Sequence, residues 1–433
     1  SKLYDYASFL EDQNDYTNAI EVAENLRWYY SAPDSKVDEY DLGRLYNLLG
    51  LLYHSQNRSE EAEEYYLAVI EIYECLVKEN ADAYEPYIAT SYNNAGALYS
   101  DQGQSDKAEK YFLAAIGIRE RLVEKNADAY EPALATSYNN AGVFYSDHGQ
   151  HEKAEKYYLA AIEIEKRLVE KNADAFEPYL ATSYNNAGNF YDDQGQSEKA
   201  EKHLLAAIEI RERLVEKNAD AYEPDLAMSY NNAGEFYRKQ NQTKKAEKYY
   251  LAAIEIRERL VEKNAAAFEP DLATSYNDAG NLYSNHGQPE KAEKYYLTAI
   301  EIYERLVKEN TDAYEPDLAT VYNNAGLFYA KQNQSEKAEK YYLAAIEIKE
   351  RLVEKNADAY EPDLAISCFL FSLNSKDKTY LDKAYEIAKR RQDDPMCRDI
   401  VEFAESHKAS LFFGKPRKRE RLRRFFRPRN KKR

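Results

Sequence analysis

The amino-acid sequence predicts an all-α solenoid of stacked antiparallel helical hairpins. Three observations predict it: a 46-residue period along most of the 433-residue chain, apolar residues at helical spacing inside each period, and a Gly or Asn at the one position where each first helix must stop.

The period is read from two kinds of landmark. Ser91-Tyr92-Asn93-Asn94-Ala95-Gly96 returns at 137–142, 183–188 and 229–234, with variants at 275–280 and 321–326 and an earlier relative at Tyr46-Asn47-Leu48-Leu49-Gly50. Prolines keep the same step, from Pro86, Pro132 and Pro178 through Pro224, Pro270, Pro316 and Pro362. Seven full units therefore occupy 43–364, a degenerate unit with Ala7, Leu10, Asn14 and Ala19 fills 1–42, and the pattern decays from Ile366 into a helical cap over 365–410. A solenoid needs such a cap to cover its last apolar face.

Residues 131–172 serve as the type unit. Pro132 suits a first helical turn, where its missing N–H is no loss, and Leu134, Tyr138, Ala141, Gly142 and Tyr145 follow at helical spacing. Asp147-His148-Gly149 stops the helix; the equivalents of Gly149 are Asn57, Gly103, Gly195, Asn241, Gly287 and Asn333, all residue types that tolerate a left-handed conformation. The second helix buries Ala154, Tyr157, Tyr158, Ala161, Ile162, Ile164, Leu168 and Val169, and Asn172 stops it. The stretch from there to the next Pro reads as a connection. Charges on the second helix, such as Glu163, Glu165, Lys166 and Arg167, or Glu209, Arg211, Glu212 and Arg213, alternate in sign and read as an exposed face.

The order Tyr138…Ala141-Gly142…Tyr145…Ala154…Tyr158…Ala161 resembles the tetratricopeptide pattern, with Tyr in place of Trp and Phe and Ala in place of Leu. The long unit and the Asn139-Asn140 pair are most similar to the kinesin-light-chain branch. The resemblance implies a right-handed superhelix of hairpins whose first helices line a concave groove that takes a protein or peptide.

Composition narrows the class. The net charge of −18 averages two unlike regions: residues 414–433 hold twelve Lys or Arg and one acid, Glu420, which leaves −29 on the first 413. Neither a uniformly acidic protein nor a uniformly basic nucleic-acid binder fits. No apolar run approaches the ~20 residues of a membrane span, and no signal peptide opens the chain. The three cysteines, Cys75, Cys368 and Cys397, make neither a disulfide framework nor a metal-ligand spacing, so a reducing cytoplasm is expected. The 42 tyrosines against 15 Phe and one Trp are expected to be packing residues multiplied by the repeat.

On the first helices, Thr136, Asn139, Asn140, Val143, Ser146 and Asp147 are expected to face away from the packing stripe. The candidate groove residues are the pairs Asn93/Asn94, Asn139/Asn140, Asn185/Asn186, Asn231/Asn232 and Asn323/Asn324, with Asn277. An amide both donates and accepts, so this ladder suits gripping an extended peptide backbone, tying neighbouring hairpins together, or both. The next positions vary between units: Asn189, Asp192 and Asp193, then Glu235, Arg238 and Lys239, then Asn281. Acidic and polar in the middle and cationic later, they suit a ligand with a basic section beside an acidic one; drift at solvated sites is the other reading.

No phosphate-binding Gly loop, nucleophile–base pair or ligand set appears, and the histidines at 54, 148, 151, 203, 286 and 407 read mainly as surface turn residues. No enzyme, metal or cofactor is expected. The basic tail, 411–433, with Arg417, Lys418, Arg419, Arg421, Arg423, Arg424 and Arg427 interleaved with Leu422, Phe425 and Phe426, is expected to be disordered. It suits RNA or DNA phosphates, an anionic membrane, docking on the acidic body, or a plain solubilising role. The functional expectation is an interaction scaffold. The alternatives are the sensor array of a larger signalling or ATPase protein, and a nucleic-acid- or membrane-associated protein acting through the tail.

Overall fold

The structure, a computed structural model, describes residues 2–12, 16–30, 37–392 and 394–413. The tail cations named above therefore lie outside the described residues. Every regular element among those described is an α-helix, and consecutive helices pack as antiparallel pairs into an all-α solenoid.

The chain forms two compact units, meeting between Phe236 and Tyr237. The first unit contains α1 (Lys2–Asp12), α2 (Tyr16–Tyr30), α3 (Glu39–Ser55), α4 (Ser59–Glu79), α5 (Ala81–Asp101), α6 (Ser105–Lys125), α7 (Ala127–Asp147), α8 (His151–Lys171), α9 (Ala173–Asp193), α10 (Ser197–Lys217) and most of α11 (Ala219–Lys239). The second contains the end of α11, then α12 (Thr243–Lys263), α13 (Ala265–Asn285), α14 (Pro289–Glu309), α15 (Thr311–Lys331), α16 (Ser335–Lys355), α17 (Ala357–Ser375), α18 (Lys378–Arg390) and α19 (Pro395–Phe413).

The turn chemistry explains the hairpins. Gly149 sits at φ +68°, its equivalents Gly103, Gly195 and Gly287 at +71°, +68° and +67°, and Asn57, Asn241 and Asn333 at +56°. The Gly149 N–H bonds the Ser146 carbonyl and the Gln150 N–H the Tyr145 carbonyl, closing the first helix within one turn. The other end of the unit differs from the sequence reading. The stretch before each proline is helix, not connection, because Asn126 both closes α6, bonding the Leu122 carbonyl, and caps α7, its side chain accepting from the Ala129 N–H at 3.2 Å. Pro132 is consequently the sixth residue of α7 and not part of its first turn. Its missing N–H leaves the Asp128 carbonyl, on an exposed residue, without an i+4 donor.

Within a hairpin the helices touch at glycine. A Cβ on Gly142 would lie 2.7 Å from the Tyr158 ring, so α7 and α8 approach as closely as they do only because that atom is absent. The tyrosines then tie hairpins together. Tyr145 stacks on Tyr157 at 5.5 Å and donates to Glu109 of the preceding hairpin at 2.8 Å, while Lys153 lies over the Tyr145 ring and also donates to Glu109. The same triad recurs as Tyr191–Glu155–Lys199, Tyr283–Glu247–Lys291 and Tyr329–Glu293–Lys337. The tyrosine excess is thus one local solution repeated.

The charged second-helix face is not wholly exposed, as the alternation of sign had suggested. Glu165 and Arg211 retain only 3% and 1% of their accessible surface, and Arg119, Arg257 and Lys349 occupy the same buried position. Helical spacing is the reason: Glu165 lies four residues after Ala161 and three before Leu168, and so on the packed face with them. Each cation there donates to a backbone carbonyl and a serine hydroxyl of the next hairpin. Arg211 donates to the Asp225 carbonyl at 3.0 Å, Ser229 Oγ at 2.5 Å and Thr182 Oγ1 at 3.1 Å.

Candidate peptide-binding face

The first helices form the inner side of each unit. Among the described residues α5 packs on α7, α7 on α9, α13 on α15 and α15 on α17, whereas successive second helices meet through long side-chain pairs such as Lys153 and Glu109. The face these first helices leave open carries positions 133, 136, 140, 143 and 147 of the type unit and their equivalents, spaced three and four apart along one side of a helix.

In the first unit this open face is partly apolar. Tyr87, Val143, Tyr179 and Met228 are exposed there, Tyr179 to 55%. Half-buried amides stand beside them at Asn94, Asn140, Asn186, Asn189 and Asn232. Asp192 is half-buried, Asp193 exposed and Glu235 half-buried, so the acidic positions read from the sequence do border this face.

The first asparagine of each pair does not reach it. Asn93, Asn139, Asn185, Asn277 and Asn323 are buried, and the ladder runs between hairpins: Asn94 Nδ2 donates to Asn47 Oδ1 at 3.2 Å, Asn186 to Asn139 at 3.3 Å, Asn232 to Asn185 at 3.1 Å and Asn324 to Asn277 at 3.0 Å. Asn231 is half-buried. These bonds give the ladder a structural role. The buried amides also meet the polar position of the second helices. Ser137, which accepts from Arg119 at 2.5 Å, donates to Asn93 at 3.3 Å, and Asn323 donates to Ser367, which accepts from Lys349.

In the second unit the equivalent positions are closed. Asp278, Asn281, Asn324 and Leu327 are buried, and Asn281 Oδ1 accepts from Tyr296 at 2.7 Å. Asn277, Asn281, Asn323 and Asn324 are therefore packing residues rather than an open groove. Arg238 is half-buried and Lys239 exposed at the end of α11.

The remaining polar chemistry is local. His54 pairs with Asp101 at 2.8 Å, and His148 bridges Ser105 and the Phe144 carbonyl, half-buried rather than at the surface. Among the described residues no three His, Cys, Asp or Glu side chains cluster to hold a metal, and no helix is long and apolar enough to cross a membrane. What the sequence did not reveal is the exposed Tyr179 and Met228. Met228 departs from the Thr found at 90, 136, 182, 274 and 320, and that departure was the available signal; the position of Tyr179 varies, with Tyr87, Ala133 and then Asp225, Asp271, Asp317 and Asp363.

The tetratricopeptide repeat model matches residues 87–167, 133–213, 179–259 and 225–305, and a second model of that repeat matches 43–74 and 319–351. The chain belongs to the tetratricopeptide repeat family. The matches select no branch of it. No curated protein sequence matches this tetratricopeptide repeat chain. Among solved structures, the apo form of the quorum sensor NprR from B. thuringiensis is similar over 80% of this chain and 86% of its own, at 17% identity and a TM-score of 0.51. Aspartyl phosphate phosphatase F from Bacillus subtilis is similar over 89% and 93%, at 16% identity and a TM-score of 0.50. BtubC (BKLC) from P. vanneervenii is similar over 58% and 92%, at 23% identity and a TM-score of 0.47.

Proposed function

We propose that this tetratricopeptide repeat chain is an interaction scaffold that holds a protein or peptide segment along the open face of α5, α7, α9 and α11 in its first unit. The observation that carries the reading is the coincidence on that face of exposed apolar side chains (Tyr87, Val143, Tyr179, Met228) with half-buried amides. Apolar side chains on an otherwise polar helix face supply anchoring area, and amides beside them supply donors and acceptors for an extended backbone. The ligand's anchors are accordingly apolar or aromatic, and acidic Asp193 at the edge favours a cationic residue next to them.

Peptides selected from a displayed random library against the whole chain provide the probe. Val143→Ser, Tyr179→Ser and Met228→Ser together are expected to weaken the selected peptides by tenfold or more while helicity and melting temperature stay unchanged, since all three side chains are already exposed. Unchanged affinity in that triple variant sinks the reading.

A further inference from the structure

The outer surface of the second unit carries an order that peptide binding on the inner face does not use. On α12, α14 and α16 one leucine per helix points outward: Leu251, Leu297 and Leu343 are 39%, 40% and 40% exposed. Three residues before each stands an exposed lysine, Lys248, Lys294 and Lys340, and four residues after each an exposed glutamate, Glu255, Glu301 and Glu347. Spacings of three and four keep all three on one side of a helix, so the surface is a row of cations, a row of leucines and a row of anions, in that order.

We propose that this face is a self-association surface, occupied by the same face of a second copy of the chain. Its charge order selects the partner and the orientation. A two-fold axis lying in the face along the leucine row reverses the helix direction, brings leucine against leucine and sets each lysine row opposite the partner's glutamate row. The other in-plane two-fold, parallel to the helices, sets lysines on lysines and glutamates on glutamates, which like charges disfavour. Glu255 and Glu347 already bond Arg259 and Arg351 at 3.3 and 3.4 Å, but as exposed i,i+4 pairs that cost little to rearrange. Lys248 and Lys340 lie 5.3 Å from the ring centroids of Tyr249 and Tyr341, which props their stems beside the leucines.

The area suffices. Each of the three helices has 21 residues and is about 31 Å long, so side by side they offer a face on the order of the ~800 Å² per partner found in stable dimers. In the first unit α8 and α10 carry the same order, Lys156–Leu159–Glu163 and Lys202–Leu205–Glu209, while Glu64 replaces the lysine beside Leu67 on α4 and Gly117 the glutamate beside Leu113 on α6.

Sedimentation equilibrium of the whole chain tests the proposal, at about 0.15 M salt, where a Debye length of about 8 Å screens the net charge but not groups in contact. One variant carries Lys248→Glu, Lys294→Glu and Lys340→Glu; the other carries Glu255→Lys, Glu301→Lys and Glu347→Lys. Wild type is expected to form dimers, each variant alone to lose at least about tenfold in association, and an equimolar mixture of the two to recover it as a heterodimer. Leu297→Arg, at the centre of the row, is expected to be monomeric, and circular dichroism checks that every variant keeps its helices. A monomeric wild type, undiminished association in the single variants, or a mixture that stays monomeric overturns the proposal.

Discussion

Ser183 Oγ donates to Glu165 Oε1 at 3.0 Å across two hairpins, in the buried position that the neighbouring hairpins fill with Arg119 and Arg211. Glu165 Oε2 is buried with no hydrogen-bond partner. A carboxylate so placed loses its hydration and recovers one bond, and burial pushes the Glu165 carboxyl up to about 7 despite the opposing bond from Ser183.

The stability of the protein should therefore carry a pH dependence traceable to this residue. The folded value of about 7 lies above the ordinary 4.5, so the folded state binds the extra proton between those limits. The contribution is complete below about 4.5 and is lost as pH rises through 7, at a cost on the order of 3 kcal/mol. Glu165→Gln keeps the shape and removes the titration. Melting temperature measured from pH 5 to pH 8 should fall more for wild type than for this variant; parallel curves would refute the assignment.

The repeat supplies the remedy for the same defect. Arg119 donates to the Ala133 carbonyl, Ser137 Oγ and Thr90 Oγ1, and one period later the corresponding groups are the Tyr179 carbonyl, Ser183 and Thr136. Glu165→Arg should find all three and stabilise the chain by about 1–2 kcal/mol at neutral pH. Arg211→Met should destabilise it by about 2–4 kcal/mol, since three acceptors lose their donor. Urea denaturation of the two variants against wild type measures both, and equal signs would show that the position does not discriminate charge.

The hairpin architecture was legible because its causes are local and repeated. Positive φ at Gly149 and its six equivalents, and close contact at Gly142, each need a residue type that the sequence displays at a fixed step. The candidate face was legible only in part. Asn139 and Asn140 are adjacent and chemically identical, yet one is buried and the other half-buried, a difference of about 100° around a helix that composition does not record. Arg211 and Arg213 read alike for the same reason, though the first is buried and the second is exposed and paired with Glu177. Asn126 was hard to place because one residue ends a helix and begins the next, leaving no connection to mark the boundary.

Two glycines of one hairpin should fail for different reasons. Gly142→Ala forces a methyl into the Tyr158 ring and should cost about 1–3 kcal/mol, and adding Tyr158→Leu should not relieve it, since Leu204 lies just as close, 2.8 Å, to the equivalent position at Gly188. Gly149→Ala meets nothing within 4 Å and should cost about 1 kcal/mol through its φ of +68° alone. Gly149→Asn should be nearly neutral, since Asn241 and Asn333 hold the equivalent conformation. Thermal melts of the four variants distinguish clash from conformation; an Asn variant as damaged as Ala would remove the conformational explanation.

The Tyr145–Glu109 bond joins two hairpins, and its strength is measurable apart from the stacking around it. Hydrogen bonds from Lys153 and Tyr145 hold the Glu109 carboxyl below its ordinary value, so it is charged at neutral pH and the bond to the phenol is charge-assisted. Tyr145→Phe keeps the ring and its stack on Tyr157 and removes only the hydroxyl. Glu109→Ala removes the acceptor from both Tyr145 and Lys153. A double-mutant cycle on the pair should return a coupling of about 0.5–1.5 kcal/mol, modest because the carboxylate is partly exposed and its ion pair is screened. The same cycle run with Tyr157→Phe in place of Tyr145→Phe should give no coupling, because the Tyr157 ring stacks on Tyr145 without bonding Glu109. Coupling of equal size in both cycles would mean that the direct bond from Tyr145 is not what couples the pair.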